Sequence, residues 1–169
     1  IPSWPIPKLF RIANKKKLIK GIFEGSTINT PSMICVEDVL DALNWVESIG
    51  GSKELMKISN ENLNIVENWV NKSSWIKFMC EDKNSRSSTS ITLSIKDDWF
   101  NKFNEEEQRD TIKKIVSILK KESVANDING YAKAPPSLRI WGGATVQNDD
   151  MKLLLPWIDW AYHSVKNNA

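Results

Sequence analysis

Two places in this 169-residue chain carry residue types suited to holding a ligand. The first is Ile28-Asn29-Thr30-Pro31-Ser32, which leads into an apolar-periodic stretch and so marks the entry of a helix. A helix N-terminus presents unpaired N–H groups and a partial positive charge, and Asn29, Thr30 and Ser32 add neutral side-chain donors. That combination holds a phosphate or a carboxylate. The plainer alternative is capping alone, with Thr30 as N-cap and Pro31 in the first helical position, where its missing N–H costs nothing. The second place is Arg139, set between Leu138 and Ile140 and followed by Trp141 and Gly142-Gly143. An arginine there suits a bidentate grip on a carboxylate, and a structural ion pair is its alternative.

Other candidates are weaker. His163 has no nucleophile or second ligand near it and reads as packing or surface. One histidine and two distant cysteines, without HExxH or CxxC, make no zinc site, so no metal is expected. Neither a GxGxxG pattern nor a P-loop is present, and Gly142-Gly143 is too short to cradle a phosphate. Arg86 falls in a polar loop and reads as solvated. The eight tryptophans read as core, Trp141 excepted. Cys35 and Cys80 read as buried free thiols of a reducing compartment. From the residues alone, no general acid, base or nucleophile emerges.

The elements that must position these residues follow from patterning. Residues 1–29 hold Pro2, Pro5, Pro7, a lysine cluster and only short apolar stretches, which predicts irregular structure with one short strand. A helix is expected from Thr30-Pro31-Ser32 to about Ser48, apolar around most of its circumference and therefore packed on more than one side. Gly50-Gly51 stops it, and Ser52 caps the next helix, which runs to about Asn71 with a kink or restart at Ser59, because Ser and Asn compete for backbone bonds. Strands are expected over 75–80 and 88–96, the second alternating Ile91, Leu93, Ile95 against Ser90, Thr92, Ser94. Asn104 and Glu107 have capping-box spacing ahead of a helix to Lys121. A loop or weak strand over 124–131, a strand over 138–141 and a last helix after Asn148 complete the order, with Pro156 kinking that helix's first turns. From about Ser52 onward this is an α+β domain, with helices covering one face of a small antiparallel sheet.

Composition narrows the function classes. A net charge of +2 with mixed signs argues against nucleic acid, and Lys15-Lys16-Lys17 with Lys20 reads as a solvated loop. No apolar run approaches a membrane span and no signal peptide is evident, so a cytoplasmic protein is expected.

Longer stretches carry a resemblance. Lys17-Leu18-Ile19-Lys20-Gly21-Ile22-Phe23-Glu24-Gly25, then Thr27 to Met33, Glu37-Asp38 and Asp41-Ala42-Leu43, are followed much later by Ala134 to Trp141 and by Pro156-Trp157-Ile158-Asp159-Trp160. In this order they resemble the C-terminal part of phosphoserine aminotransferases, of the branch found in alphaproteobacteria. The resemblance implies a fold-type-I transferase dependent on pyridoxal phosphate, exchanging an amino group between glutamate and 3-phosphohydroxypyruvate as a homodimer. Residues 1–50 would then be the end of the large α/β cofactor domain with its linking helix, and 51–169 the small C-terminal α+β domain. It also implies that Asn29 and Thr30 reach the cofactor phosphate of the neighbouring subunit and that Arg139 holds the substrate α-carboxylate.

In that family the lysine that binds the cofactor lies upstream of the matched region, so no catalytic residue is assigned here. The chain alone is expected to be an inactive fragment that does not retain the cofactor, and its proline-rich start reads as entry in mid-protein. Alternatives remain: another fold-type-I aminotransferase of the alanine- or serine-glyoxylate kind, or a non-catalytic α+β binding or dimerisation module. A fragment would expose the apolar helix over 33–46, whereas an evolved module would not.

Overall fold

The chain divides into two units, residues 1–48 and 49–169, in a computed structural model that describes Pro5, Pro7 and residues 10–168. Expectations for Pro2 and for Trp4 as core fall outside the described residues.

In the first unit the lysine cluster forms a hairpin. Strand β1 (Ala13–Asn14) pairs antiparallel with β2 (Lys17–Leu18), and Lys15 and Lys16 make the turn with φ of 45° and 66°. Positive φ at both central residues matches the twist of the flanking strands, and the lysines stay exposed as a solvated turn. A 3₁₀ turn over Lys20–Glu24 follows, closed by Gly25 in the left-handed region at φ 95°. Helix α1 then spans Met33–Ser48. Its first intrahelical bond, from Val36 N–H to the Ser32 carbonyl at 3.1 Å, makes Ser32 the capping residue. The expected cap at Thr30 is thus corrected by two positions: Ser is as good a cap as Thr, and Pro31 precedes the helix rather than opening it. None of α1 is buried; Ile34 is 75% exposed, and Met33, Val39, Leu40 and Leu43 are exposed with it. Among the described residues, packing on more than one side is therefore absent.

The second unit is built on a three-stranded antiparallel sheet of order β3-β4-β5. The strands are β3 (Ile76–Phe78), β4 (Ser90–Ile95) and β5 (Leu138–Trp141), with Ile76 opposite Ile95, Ile91 opposite Ile140 and Leu93 opposite Leu138. Alternation puts these apolar residues on one face, where all are buried, and Lys77, Thr92 and Arg139 on the other. The buried face joins one core with Val66 and Val70 of α2 (Gly51–Lys72), Ile112, Ile115 and Leu119 of α4 (Glu105–Lys121), and Met151, Ile158 and Tyr162 of α5 (Asn148–Asn167). The order is that of an α+β fold, extended by one short helix, α3 (Asp98–Asn101), which forms where the Asp97 carboxylate accepts from Trp99 N–H at 2.8 Å. The capping box of α4 is present in both halves, between Asn104 and Glu107.

Several expectations are corrected. Helix α2 starts at Gly51, with Gly50 left-handed at φ 111° as its cap, instead of after Ser52. It does not restart at Ser59; Ser59 and Asn62 of that polar stretch face inward, while Asn60 stays exposed. Asn62, fully buried, donates through Nδ2 to the carbonyls of Gly142 (3.2 Å) and Val146 (3.0 Å), and its Oδ1 accepts from Asn148 Nδ2 at 2.9 Å. Side chains committed to distant partners do not compete with the helix backbone. Pro156 lies inside α5, in its first half, where the sequence places it. The glycines of the strand exit are there for space: a Cβ on Gly142 would meet Ile91 Cδ1 at 2.8 Å, and one on Gly143 would meet the Trp141 ring at 2.5 Å. Of the described tryptophans only Trp75 is fully buried, and Trp45, Trp157 and Trp160 are exposed like Trp141. Both cysteines are free thiols, but Cys35 is exposed on α1 and Cys80 is half-buried.

Candidate functional site

Arg139 is placed by strand alternation on the face of β5 opposite Leu138 and Ile140, with Thr92 as its cross-strand partner. Its backbone N–H donates to the Ile128 carbonyl at 2.9 Å, and the neighbouring bridge between Asn129 and Leu138 holds the 127–131 segment alongside β5. The guanidinium lies over the Tyr131 ring, 4.7 Å from its centre, a cation–π contact. Nη2 donates to Asp127 Oδ2 at 2.9 Å. The two partners differ sharply: the Arg139 side chain is 13% exposed and that of Asp127 80%. Arg139 Nε is buried and has no hydrogen-bond partner among the described residues. A buried N–H left unmade carries a real cost, and one unpaired donor in a guanidinium fork is the feature a bidentate ligand would complete.

Asn29 and Thr30 belong to the first unit, just before the N-terminus of α1. The Thr27 hydroxyl donates to the Asn29 carbonyl at 2.7 Å and so shapes the turn. Both side chains are exposed, and among the described residues neither the Asn29 amide nor the Thr30 hydroxyl is engaged by another group. The donors are neutral, accessible and beside a helix N-terminus, which is a donor set a phosphate fits. Asn29 and Thr30 are neighbours in one unit, and Arg139 stands in the other.

The remaining candidates resolve differently. Arg86 is not solvated: it folds back over Phe78, 4.0 Å from the ring centre, pairs with Glu67 of α2 at 2.7 Å, and donates to the carbonyls of Cys80 (3.0 Å) and Glu81 (3.2 Å). His163 is exposed and edge-on to Tyr162, bordering a hollow of about 370 Å³ with Lys72, Trp75 and Asp159. Among the described residues no three His, Cys, Asp or Glu side chains gather as metal ligands, and no helix is long and apolar enough to cross a membrane. Asp97 is drawn down to about 2 by hydrogen bonds from Lys166 and from the Tyr162 hydroxyl. The same contact, after burial, pushes the Tyr162 phenol up. This cluster fastens α5 to the end of β4 and lies within the framework.

Reading the sequence missed Asp127 and Tyr131 as partners of Arg139. Asp127 sits in an Asn-Asp-Ile-Asn-Gly stretch that reads as a turn, and only the pairing of 128–129 against β5 brings it to the arginine. Arg109 also went unremarked. It donates to Glu105 at 2.6 Å and to the Ala134 carbonyl at 2.7 Å, bordering a cavity of about 220 Å³ with Asn129, Tyr131 and Ser137.

No protein-family model matches the chain. The phosphoserine aminotransferases of Methanosarcina mazei and Methanosarcina barkeri are each 47% identical to it over 165 residues, which is 98% of this chain and 42% of theirs. The chain therefore spans about two fifths of the length of these curated relatives. Among solved structures, a phosphoserine aminotransferase studied for radiation damage of its Schiff base superposes with a TM-score of 0.67 at 16% identity, covering 87% of this chain and 38% of that one. The phosphoserine aminotransferase from Bacillus circulans subsp. alkalophilus gives a TM-score of 0.65 at 17% identity, covering 85% and 36%. At such identities the solved structures establish the shared fold alone.

Proposed function

We propose that this chain, a relative of phosphoserine aminotransferases along nearly its whole length, is the C-terminal part of one, in a longer protein that moves an amino group between glutamate and 3-phosphohydroxypyruvate to form phosphoserine. The observation that carries this reading is the 47% identity over 98% of the chain. Residues 1–50 then contribute the end of a large cofactor-binding domain with its linking helix, and 51–169 the small C-terminal domain. The exposed, apolar α1 supports the division, since such a helix is built to be covered.

Pyridoxal phosphate, when bound, supplies the electron sink for amino-group transfer. The residues of this chain bind and orient. Asn29 and Thr30 donate to the cofactor phosphate of the neighbouring subunit in a homodimer, which their exposed and unengaged side chains suit. Arg139 takes the α-carboxylate of the amino-acid or keto-acid substrate on the edge that carries Nε and Nη2. Tyr131 beneath the guanidinium keeps that edge facing one way. The lysine that carries the cofactor belongs to the remainder of the protein, so the 169-residue chain by itself neither retains the cofactor nor turns over, and the enzyme works in the cytoplasm.

The test is an amino-transfer assay on the longer protein and on this chain, with 2-oxoglutarate as acceptor and phosphoserine, serine or alanine as donor. The longer protein should prefer phosphoserine in kcat/KM and the chain alone should be inactive. A preference for alanine or serine would move the protein to the glyoxylate-using kind, and turnover by the chain alone would overturn its standing as a part.

A further inference from the structure

We infer that Asp127 is an internal competitor for Arg139: in the resting protein its carboxylate occupies the edge of the guanidinium that a substrate carboxylate takes, and substrate binds by displacing it. The inference rests on the proposed role of Arg139 as carboxylate receptor. Three observations lead to it. Asp127 engages Nη2 and leaves the adjacent Nε without a partner, so the edge is half used. A carboxylate set side-on takes both donors of that edge and so makes one hydrogen bond more than Asp127 does.

The exposures are unequal as well. At 80% exposed, the Asp127 side chain is held by little besides Arg139 and is free to swing into water, where a carboxylate is well solvated. Arg139, at 13%, stays where it is. Finally, the backbone around the pair is fixed independently of it. Ile128 is buried and accepts from the Arg139 N–H, Asn129 bridges to Leu138, and the Tyr131 ring holds the guanidinium from its face. The Asp127 carboxylate is therefore the one movable member of the group.

The arrangement serves two ends. A mostly buried guanidinium without a counter-ion is costly, and Asp127 supplies one while no substrate is bound. It also sets a threshold that neutral ligands do not pass: only an anion presenting two oxygens in one plane repays the loss of the ion pair.

The experiment compares Asp127→Asn, Asp127→Ser and Arg139→Gln in the longer protein with cofactor bound. It uses glutarate, a dicarboxylate with no amino group to transfer, titrated calorimetrically. Removing the competitor should tighten glutarate by about twofold to fivefold in both Asp127 variants, the range an exposed ion pair commands. The KM for glutamate should fall by a similar factor. An unchanged or weaker affinity in the Asp127 variants, with Arg139→Gln still weakening glutarate at least tenfold, overturns the competition and leaves Arg139 as receptor. If Arg139→Gln leaves glutarate binding untouched, the receptor role fails and the competition fails with it.

Discussion

Two arginines in the second unit lie over aromatic rings and pair with one carboxylate each, yet they are built for different ends. Arg86 is 12% exposed and engages all three of its nitrogens: Nη1 on Glu67, Nε on the Cys80 carbonyl and Nη2 on the Glu81 carbonyl, with Phe78 beneath. Its partner Glu67 is itself 22% exposed and anchored on α2. Arg139 is equally enclosed over Tyr131 but uses one donor, on a carboxylate that stands in water. Burial alone does not separate a structural arginine from a receptor. The number of donors left over and the mobility of the counter-ion do.

The sharpest way to test this contrast is to remove each side chain and ask what is lost. Arg139→Ala in the longer protein should lower kcat/KM for amino-acid substrates by about two orders of magnitude, or about 3 kcal/mol, the loss of a bidentate charge-assisted contact. Its urea midpoint should move little, because it breaks one pair to an exposed partner. Arg86→Ala should do the reverse, destabilising the second unit by about 2 kcal/mol in urea unfolding through lost packing on Phe78 and a stranded Glu67. Two variants that behaved alike would dissolve the distinction.

A third charged group sharpens it from another side. Asp97 is depressed from 3.8 to about 2 by its bonds from Lys166 and Tyr162. A carboxyl depressed in the folded state stabilises above its unfolded pKa, and that stabilisation is lost as pH falls. Unfolding free energy should therefore decline between about pH 4 and pH 2, and Asp97→Asn should flatten that decline in acid titrations followed by circular dichroism.

The smallest effects concern the entry of α1. Ser32→Ala should cost that helix only about 0.5 kcal/mol, since the Ser32 carbonyl that accepts from Val36 N–H is kept and its hydroxyl bonds no helix N–H among the described residues. Thr30→Ala should cost less than about 0.5 kcal/mol, since Thr30 lies two positions before the cap. In the longer protein Thr30→Ala should nonetheless weaken cofactor retention, read from the absorbance of the bound cofactor after dialysis. Retention unchanged would remove Thr30 from the phosphate contacts.

What was legible in the sequence was whatever one element decides for itself. The alternation of Ile91, Leu93 and Ile95, the capping box of Asn104 and Glu107, and the facing of Arg139 away from Leu138 and Ile140 are all local patterns, and each is present as read. What eluded it depends on partners far along the chain. Arg86 reads as a loop residue until Glu67 of α2 meets it, and Asn62 reads as helix-breaking until the loop after β5 supplies acceptors. For α1 the pattern of apolar residues was plain, but a period says only that a helix seeks cover and not whether the cover lies in the same 169 residues. The candidate site was half legible. Arg139 could be singled out by its place in a strand, whereas Asp127 and Tyr131 depend on a bridge with no sequence signature.

The Asn62 amide has one more consequence. Its single NH₂ group spans the Gly142 and Val146 carbonyls, on the loop that leaves the strand of Arg139, from a helix position 80 residues earlier. It works as a fixed-length gauge. One residue added or deleted between Gly142 and Val146 moves one acceptor out of reach and strands a buried donor. Relatives of this chain should therefore vary freely in the length of the polar 81–87 loop and hold the count from Gly142 to Val146 constant, even where the residues in between are exchanged.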